Sequence, residues 1–348
     1  MNAKRRVTVI PLVGPFHTRF PLYNVVHVRE LLKASEPDAV ALATLPPGAL
    51  EEPGWQHTSE IALPHAVVPW ARQRGVRLEA VGSLAGSPGE PGEEGDEAEF
   101  VRYLGEFEAG RAHLRQVRAA LGPVEELLKR GLDLGLVLTE LVPALAAYDA
   151  ARRAAYGEGP GTGWQAARAE RVAERVAALE APHAAVLVGV DDFGAVSSAL
   201  SARLTLSELP TRQQLEGAAA VEARQRSLLD VAMHGQADDP AALLQQLREL
   251  GTPEARYHQA NILLAHGHTA EALEVLTEVA SGDFQVPYYL PGFVLARLGQ
   301  LQDLAGERRA AQRAYRGVLA LDFAPAEALE AARAGLEAPF ELGAAARQ

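Results

Sequence analysis

At 348 residues the chain is long enough for about two domains. Its net charge of −12 argues against general nucleic-acid binding, which needs an excess of lysine and arginine to displace counterions. Without a single cysteine it has no disulfide, no thiolate nucleophile and no cysteine-held zinc.

The N-terminus, MNAKRRVTVIPLVG, begins with charge and continues with an apolar run, as signal peptides do. The run is short and Gly14-Pro15 breaks it, so RVTVIPLV (6–13) is expected to be a first, buried strand. YNVVHVRELLKAS (23–35) sets Val25, Val28, Leu31 and Leu32 on one helix face. PDAVALATL (37–45) predicts strand two, residues 60–74 a helix ending at Gly75, and VRLEAVG (76–82) strand three. Strands alternating with helices through short connections imply a parallel sheet.

AGSPGEPGEEGDEAE (85–99) is rich in Gly, Pro and Glu and reads as a mobile acidic loop. Residues 100–181 read as a helical insertion, with breaks expected at Gly122-Pro123 and at GEGPGTG (157–163). Within it LDLGLVLTELVPALAAY (132–148) is the most membrane-like stretch. Asp133, Glu140 and Pro143 interrupt it, so a buried helix is expected, with no membrane association and a cytoplasmic location. A buried strand over 184–190, a helix over 193–203 and a short strand over 203–209 complete the pattern. The fold expected for residues 1–209 is an α/β domain with a mainly parallel sheet and a helical insertion.

From 210 to 348 no strand is expected, and the reading is an all-α helical-repeat domain. Two segments align on Gly267 and Gly306: EARYHQANILLAHGHTAEALEVLTEVA (254–280) and FVLARLGQLQDLAGERRAAQRAYRGVLAL (293–321). Each has a helix, a glycine turn and a second helix. Small residues recur at Ala260 and Gly299 and at Ala272 and Ala311, with large ones at Leu276 and Tyr315. The pattern resembles the tetratricopeptide repeat, in which small residues let paired helices approach. The glycines stand further apart than the roughly 34-residue standard period, and the excess falls in SGDFQVPYYLP. Such a stack implies docking of a protein or peptide, or a homodimer.

Sites in open parallel sheets form beyond the carboxyl ends of strands. Strand one ends in Gly14-x-x-His17 and strand four in Gly189-x-x-Asp192. If the two strands are neighbours, a histidine and a carboxylate converge, fit to hold a divalent ion or to act as acid and base. The glycines Gly14 and Gly189 would form the turns of that crevice. No phosphate loop, dinucleotide fingerprint or nucleophile elbow is present.

Gly14-x-x-His17, the following helix, PDAVAL and AERVAERVAALEAPHAAVLVGVDDFGAV (169–196) together resemble the TraB/ChaN/Tiki-like superfamily of α/β proteins, over roughly residues 5–85 and 145–204. Some members are metal-dependent hydrolases or peptidases. The resemblance implies metal ligation at His17 and Asp192, with Mn, Co or Zn, and a catalytic pair at Glu170-Arg171, the arginine stabilising developing negative charge. Two positions depart from the pattern. Asp192 stands where a second histidine is expected, and Ala43 where a glutamate is. The expected function is therefore a non-enzymatic or weakly active α/β domain fused to a tetratricopeptide-like interaction module, with no cofactor. The alternatives are a metal-dependent hydrolase with altered ligands and a small-ligand sensor.

Overall fold

A computed structural model describes residues 5–82, 93–157, 162–210, 212–235 and 237–342. The chain divides into two compact units, one up to Ala223 and one from Arg224 on.

The first unit is built on five parallel strands: β1 (Arg6–Leu12), β2 (Ala39–Leu42), β3 (Arg77–Ala80), β4 (His183–Gly189) and β5 (Thr205–Leu206). Their order is β3-β2-β4-β1-β5. β1 and β4 are mostly apolar because both faces of the sheet are covered, and the buried polar pair Thr8 and His183 bond to each other at 2.9 Å. Alternate residues feed two cores. Ile10, Leu12, Val40, Leu42, Ala185 and Leu187 face one side, and Val7, Val9, Ala41, Val186 and Val188 the other. β2 and β5 are shorter than the sequence suggests, since only part of each apolar run finds a paired neighbour.

The first core is closed by α1 (Val25–Ser35), by α2 (Val68–Arg74) with the π-helical turn Leu63–Val67 before it, and by the helical insertion. The insertion comprises α3 (Glu93–Gly105), α4 (Glu108–Leu128), α5 (Leu134–Leu136) and α6 (Val142–Tyr156), the last two joined by a π-helical turn (Val137–Leu141). The second core is closed by α7 (Trp164–Ala178) and α8 (Phe193–Ser201). Three layers result.

Three expectations need correction here. The acidic loop does not extend to residue 99: Glu93–Gly105 is helix, because its glutamates, alanine and leucine are good helix formers. Residues 85–92 of that stretch lie outside the described residues. The break at Gly122-Pro123 does not occur. α4 runs through Pro123, which forfeits one backbone bond while Val117, Val124 and Leu127 keep the helix packed. Finally, the apolar stretch is not a fully buried helix. Leu134–Tyr156 is long and apolar enough to cross a membrane by length and composition, yet only 17% of its most apolar window is buried. Its inner stripe, Leu134, Val137 and Leu141, lies in the first core.

The division between units falls inside α9 (Arg212–His234), beyond the 209/210 boundary read from sequence. The first half of α9 belongs to the first unit. Ala219 and Ala223 pack on Val26, Glu222 pairs with Arg29 at 2.6 Å, and the Ala223 carbonyl accepts from Asn24 Nδ2 at 2.9 Å.

The second unit is helical throughout its described residues. It continues with α10 (Pro240–Leu250), α11 (Pro253–Ala265), α12 (Thr269–Ser281), α13 (Leu290–Leu304), α14 (Arg308–Leu319) and α15 (Ala326–Glu337). Consecutive helices pack on one another. The turns between α11 and α12 and between α13 and α14 pass through Gly267 (φ 80°) and Gly306 (φ 77°), a left-handed conformation that favours glycine. Ala260, Ala272, Leu276, Ala311 and Tyr315 are all buried. The Tyr315 ring lies between Gly299 and Gly335, so close that a Cβ at either would collide with it. Its hydroxyl donates to Asp303 Oδ2 at 2.9 Å, and the same carboxylate pairs with Arg308 at 3.0 Å.

Candidate functional site

β1 and β4 are neighbours, and their following helices go to opposite faces of the sheet: α1 to the first core, α8 to the second. The loops leaving their carboxyl ends therefore part; their point of parting, the crevice, is the place where sites form in such a sheet. Gly14, His17, Gly189 and Asp192 all belong to these two loops.

Gly14 adopts φ 57°, which only glycine takes without strain, and starts a 3-10 turn over Gly14–Thr18. That turn winds the chain back under itself. His17 is consequently not directed into the crevice, as its position predicts, but is fully buried. Its Nε2 accepts the Val13 N–H at 3.1 Å, which leaves Nδ1 as the protonated nitrogen, donating to the Tyr23 carbonyl at 2.9 Å. Tyr23 packs edge-on against the imidazole and donates its own hydroxyl to the Pro11 carbonyl at 2.6 Å. Burial lowers the imidazole's pKa to about 4, against the opposing pull of the Tyr23 carbonyl. His17 is a neutral staple that ties the end of β1 to the start of α1.

Gly189 serves differently. A Cβ there would lie 2.5 Å from Asp191 Oδ1, so the absence of a side chain lets the acidic loop fold over the strand end. Asp191 is exposed and Asp192 is buried. Asp192 makes no side-chain cap for α8; its carboxylate is ion-paired to Arg168, whose guanidinium lies 5.2 Å from the Trp164 ring. Arg168 stands one turn before Arg171 on α7. Arg171 is half-buried on the same helix. Glu170 points elsewhere, pairing at 2.7 Å with Arg203 just before β5, on the amino-end side of the sheet. Consecutive helix residues diverge by about 100°, so Glu170 and Arg171 leave α7 in different directions. Ala43 follows β2, with its N–H bonded to the Leu187 carbonyl at 2.9 Å.

One residue of the crevice escaped the sequence reading. Glu60 is buried, with Oε2 accepting the Gly14 N–H at 3.1 Å. Its Oε1 faces Gly189, 3.6 Å from where a Cβ would stand. Burial, then the nearby Asp191 carboxylate, raises its pKa to about 7. A lone acid ahead of the apolar run IALPHAVV was the available signal. The crevice therefore holds a protonatable carboxyl and an exposed carboxylate.

These residues do not fit the metal that the family resemblance implies. His17 has no free lone pair, and Asp192 is held by Arg168. Among the described residues no three His, Asp or Glu side chains group so as to hold a metal ion. No protein-family model matches this chain, and no curated protein or solved structure matches it.

Proposed function

We propose that this chain works by binding rather than by metal-dependent hydrolysis. It joins a divergent TraB/ChaN-type α/β unit, inactive or weakly active, to a tetratricopeptide-like helical stack that docks a protein or peptide. The engagement of both His17 ring nitrogens carries this reading, because it removes the one imidazole donor that the enzyme alternative requires. The helical unit adds support. Its glycine turns, buried Ala272 and Ala311, and the seat of Tyr315 between two glycines suit helix pairs stacked at close range.

Two measurements on the full chain test the proposal. Protein purified without chelator should carry no stoichiometric Mn, Co or Zn; a bound ion that disappears in His17→Gln would restore the hydrolase. Cross-linking in an extract of the source cells should join partners to residues 224–342. Cross-links confined to residues 5–223 would remove the docking role from the helices.

A small-ligand sensor is the second reading, and Glu60 favours it. A buried carboxyl titrating near neutrality at a strand-end crevice can donate or accept a hydrogen bond according to the ligand. Ligands that raise the melting temperature of the wild type but not of Glu60→Gln would select it.

A further inference from the structure

α14 breaks two rules of helix electrostatics. Its sequence, RRAAQRAYRGVL, carries four arginines and no acid. Arg308 and Arg309 stand in its first turn, where the helix dipole disfavours positive charge. Arg309, Arg313 and Arg316 follow at i, i+4 and i+7, the spacing at which like charges meet and repel. Arg308 has relief from Asp303 at 3.0 Å and from the Leu336 carbonyl at 3.1 Å. The other three are exposed, and none makes an ion pair with a described residue. They point away from the face that buries Ala311, Ala314, Tyr315 and Val318, so packing does not require them. In a chain of net charge −12, an arginine-only stripe is a local reversal of sign. Local rules broken without internal compensation mark functional surfaces.

We propose that the Arg309–Arg313–Arg316 face of α14 docks an acidic peptide segment of a partner protein. This rests on the reading of the helical unit as an interaction module and names the partner's chemistry. The stripe spans about 10 Å of helix, the reach of a few acidic side chains on one peptide. Guanidinium groups pair carboxylates in bidentate fashion, and bringing acids to the stripe relieves the mutual repulsion and, at Arg309, the adverse dipole; Arg316 lies in the last turn, where the dipole favours it. A nucleic acid is the poorer fit. Three cations release few counterions, and the rest of the molecule repels a long polyanion.

The test uses the full chain and a fluorescent ten-residue oligoglutamate probe, followed by anisotropy at about 50 mM salt, where surface charge is weakly screened. The wild type should bind, and Arg309→Gln/Arg313→Gln/Arg316→Gln should weaken binding roughly fivefold or more. Removing the same charge from α4, as Arg111→Gln/Arg115→Gln/Arg118→Gln, should leave binding unchanged. No binding by the wild type, or equal loss in both triple variants, would overturn the proposal. So would a single-stranded oligonucleotide of equal charge that binds as tightly and depends on the same arginines. Partner cross-links elsewhere on residues 224–342 would defeat this surface while leaving the interaction module standing.

Discussion

Glu60 Oε2 accepts the backbone N–H of Gly14 at 3.1 Å, joining the crossover between β2 and β3 to the end of β1. The bond suits either protonation state, but burial makes the charged state costly. The carboxyl is raised from its ordinary 4.5 to about 7. Between those values the folded protein holds a proton that the unfolded chain has lost, so stability falls as pH rises through this window and then levels. Glu60→Gln keeps an acceptor for Gly14 and removes the charge. At pH 8 it should be more stable than the wild type by up to about 3 kcal/mol, and at pH 4 equal to it. Denaturant titrations at both pH values decide this. The same stability difference at both would mean that the carboxyl is solvated.

His17 titrates with the opposite sign. Its folded pKa, about 4, lies below the ordinary 6.5, so the stability it gives is present above 6.5 and is lost as pH falls towards 4. Nitrogen NMR should find a neutral ring protonated at Nδ1 throughout the neutral range. Replacing His17 by Phe leaves the Val13 N–H and the Tyr23 carbonyl without partners and should cost about 2–4 kcal/mol. A ring that titrates near 6.5 would mean that it faces the crevice after all.

How far the sequence reached follows from the range of the forces involved. β1 and β4 were legible because a doubly covered strand is apolar along most of its length, and Gly14 because the turn leaving such a strand needs a left-handed residue. The direction of His17 was not legible. It depends on a 3-10 turn that Gly14 starts and that any of several turn types could have replaced. Glu60 was hidden because its partner, Gly14, is distant in sequence and offers only a backbone N–H. The pairing of Arg168 with Asp192 was not read because helix phase, not a motif, brings that arginine to the loop after β4. The division after Ala223 was not legible because α9 runs across it without a change of composition.

The second unit contains a buried ionic group that composition does not betray. Arg226 donates to Glu254 at 2.8 and 2.9 Å and to Asp230 at 2.8 Å, and the Tyr289 hydroxyl donates to Glu254 at 2.6 Å. Two carboxyls share one guanidinium. Burial pushes Asp230 up to about 7, although Arg226 pulls it down. Arg226→Met strands both acids and should destabilise by about 3–5 kcal/mol. Asp230→Asn should cost less, because an amide oxygen still accepts and burial already weighs against the charged carboxylate. Hydrogen exchange of α9, α10 and α11 reads both variants. Equal effects would show that the group is not a coupled unit.

The contact of Tyr315 with Gly299 offers the sharpest check on the helical stack. A methyl at Gly299 would run into the Tyr315 ring, and the ring has no room to retreat because Gly335 backs it from the other side. Gly299→Ala gains about 1 kcal/mol of helix propensity. It should nevertheless destabilise, because overpacking of a close-packed site costs about 1–3 kcal/mol. Shrinking the ring should undo the clash: Gly299→Ala combined with Tyr315→Leu should cost less than the sum of the two single changes, by about 1 kcal/mol or more. The control is Tyr315→Leu alone, which loses the bond to Asp303 and leaves a void between the two glycines. Thermal unfolding of the full chain, with hydrogen exchange over residues 290–337, measures each term. If the costs simply add, the ring does not sit between the two glycines, and the close packing on which the repeat-like stack depends is absent.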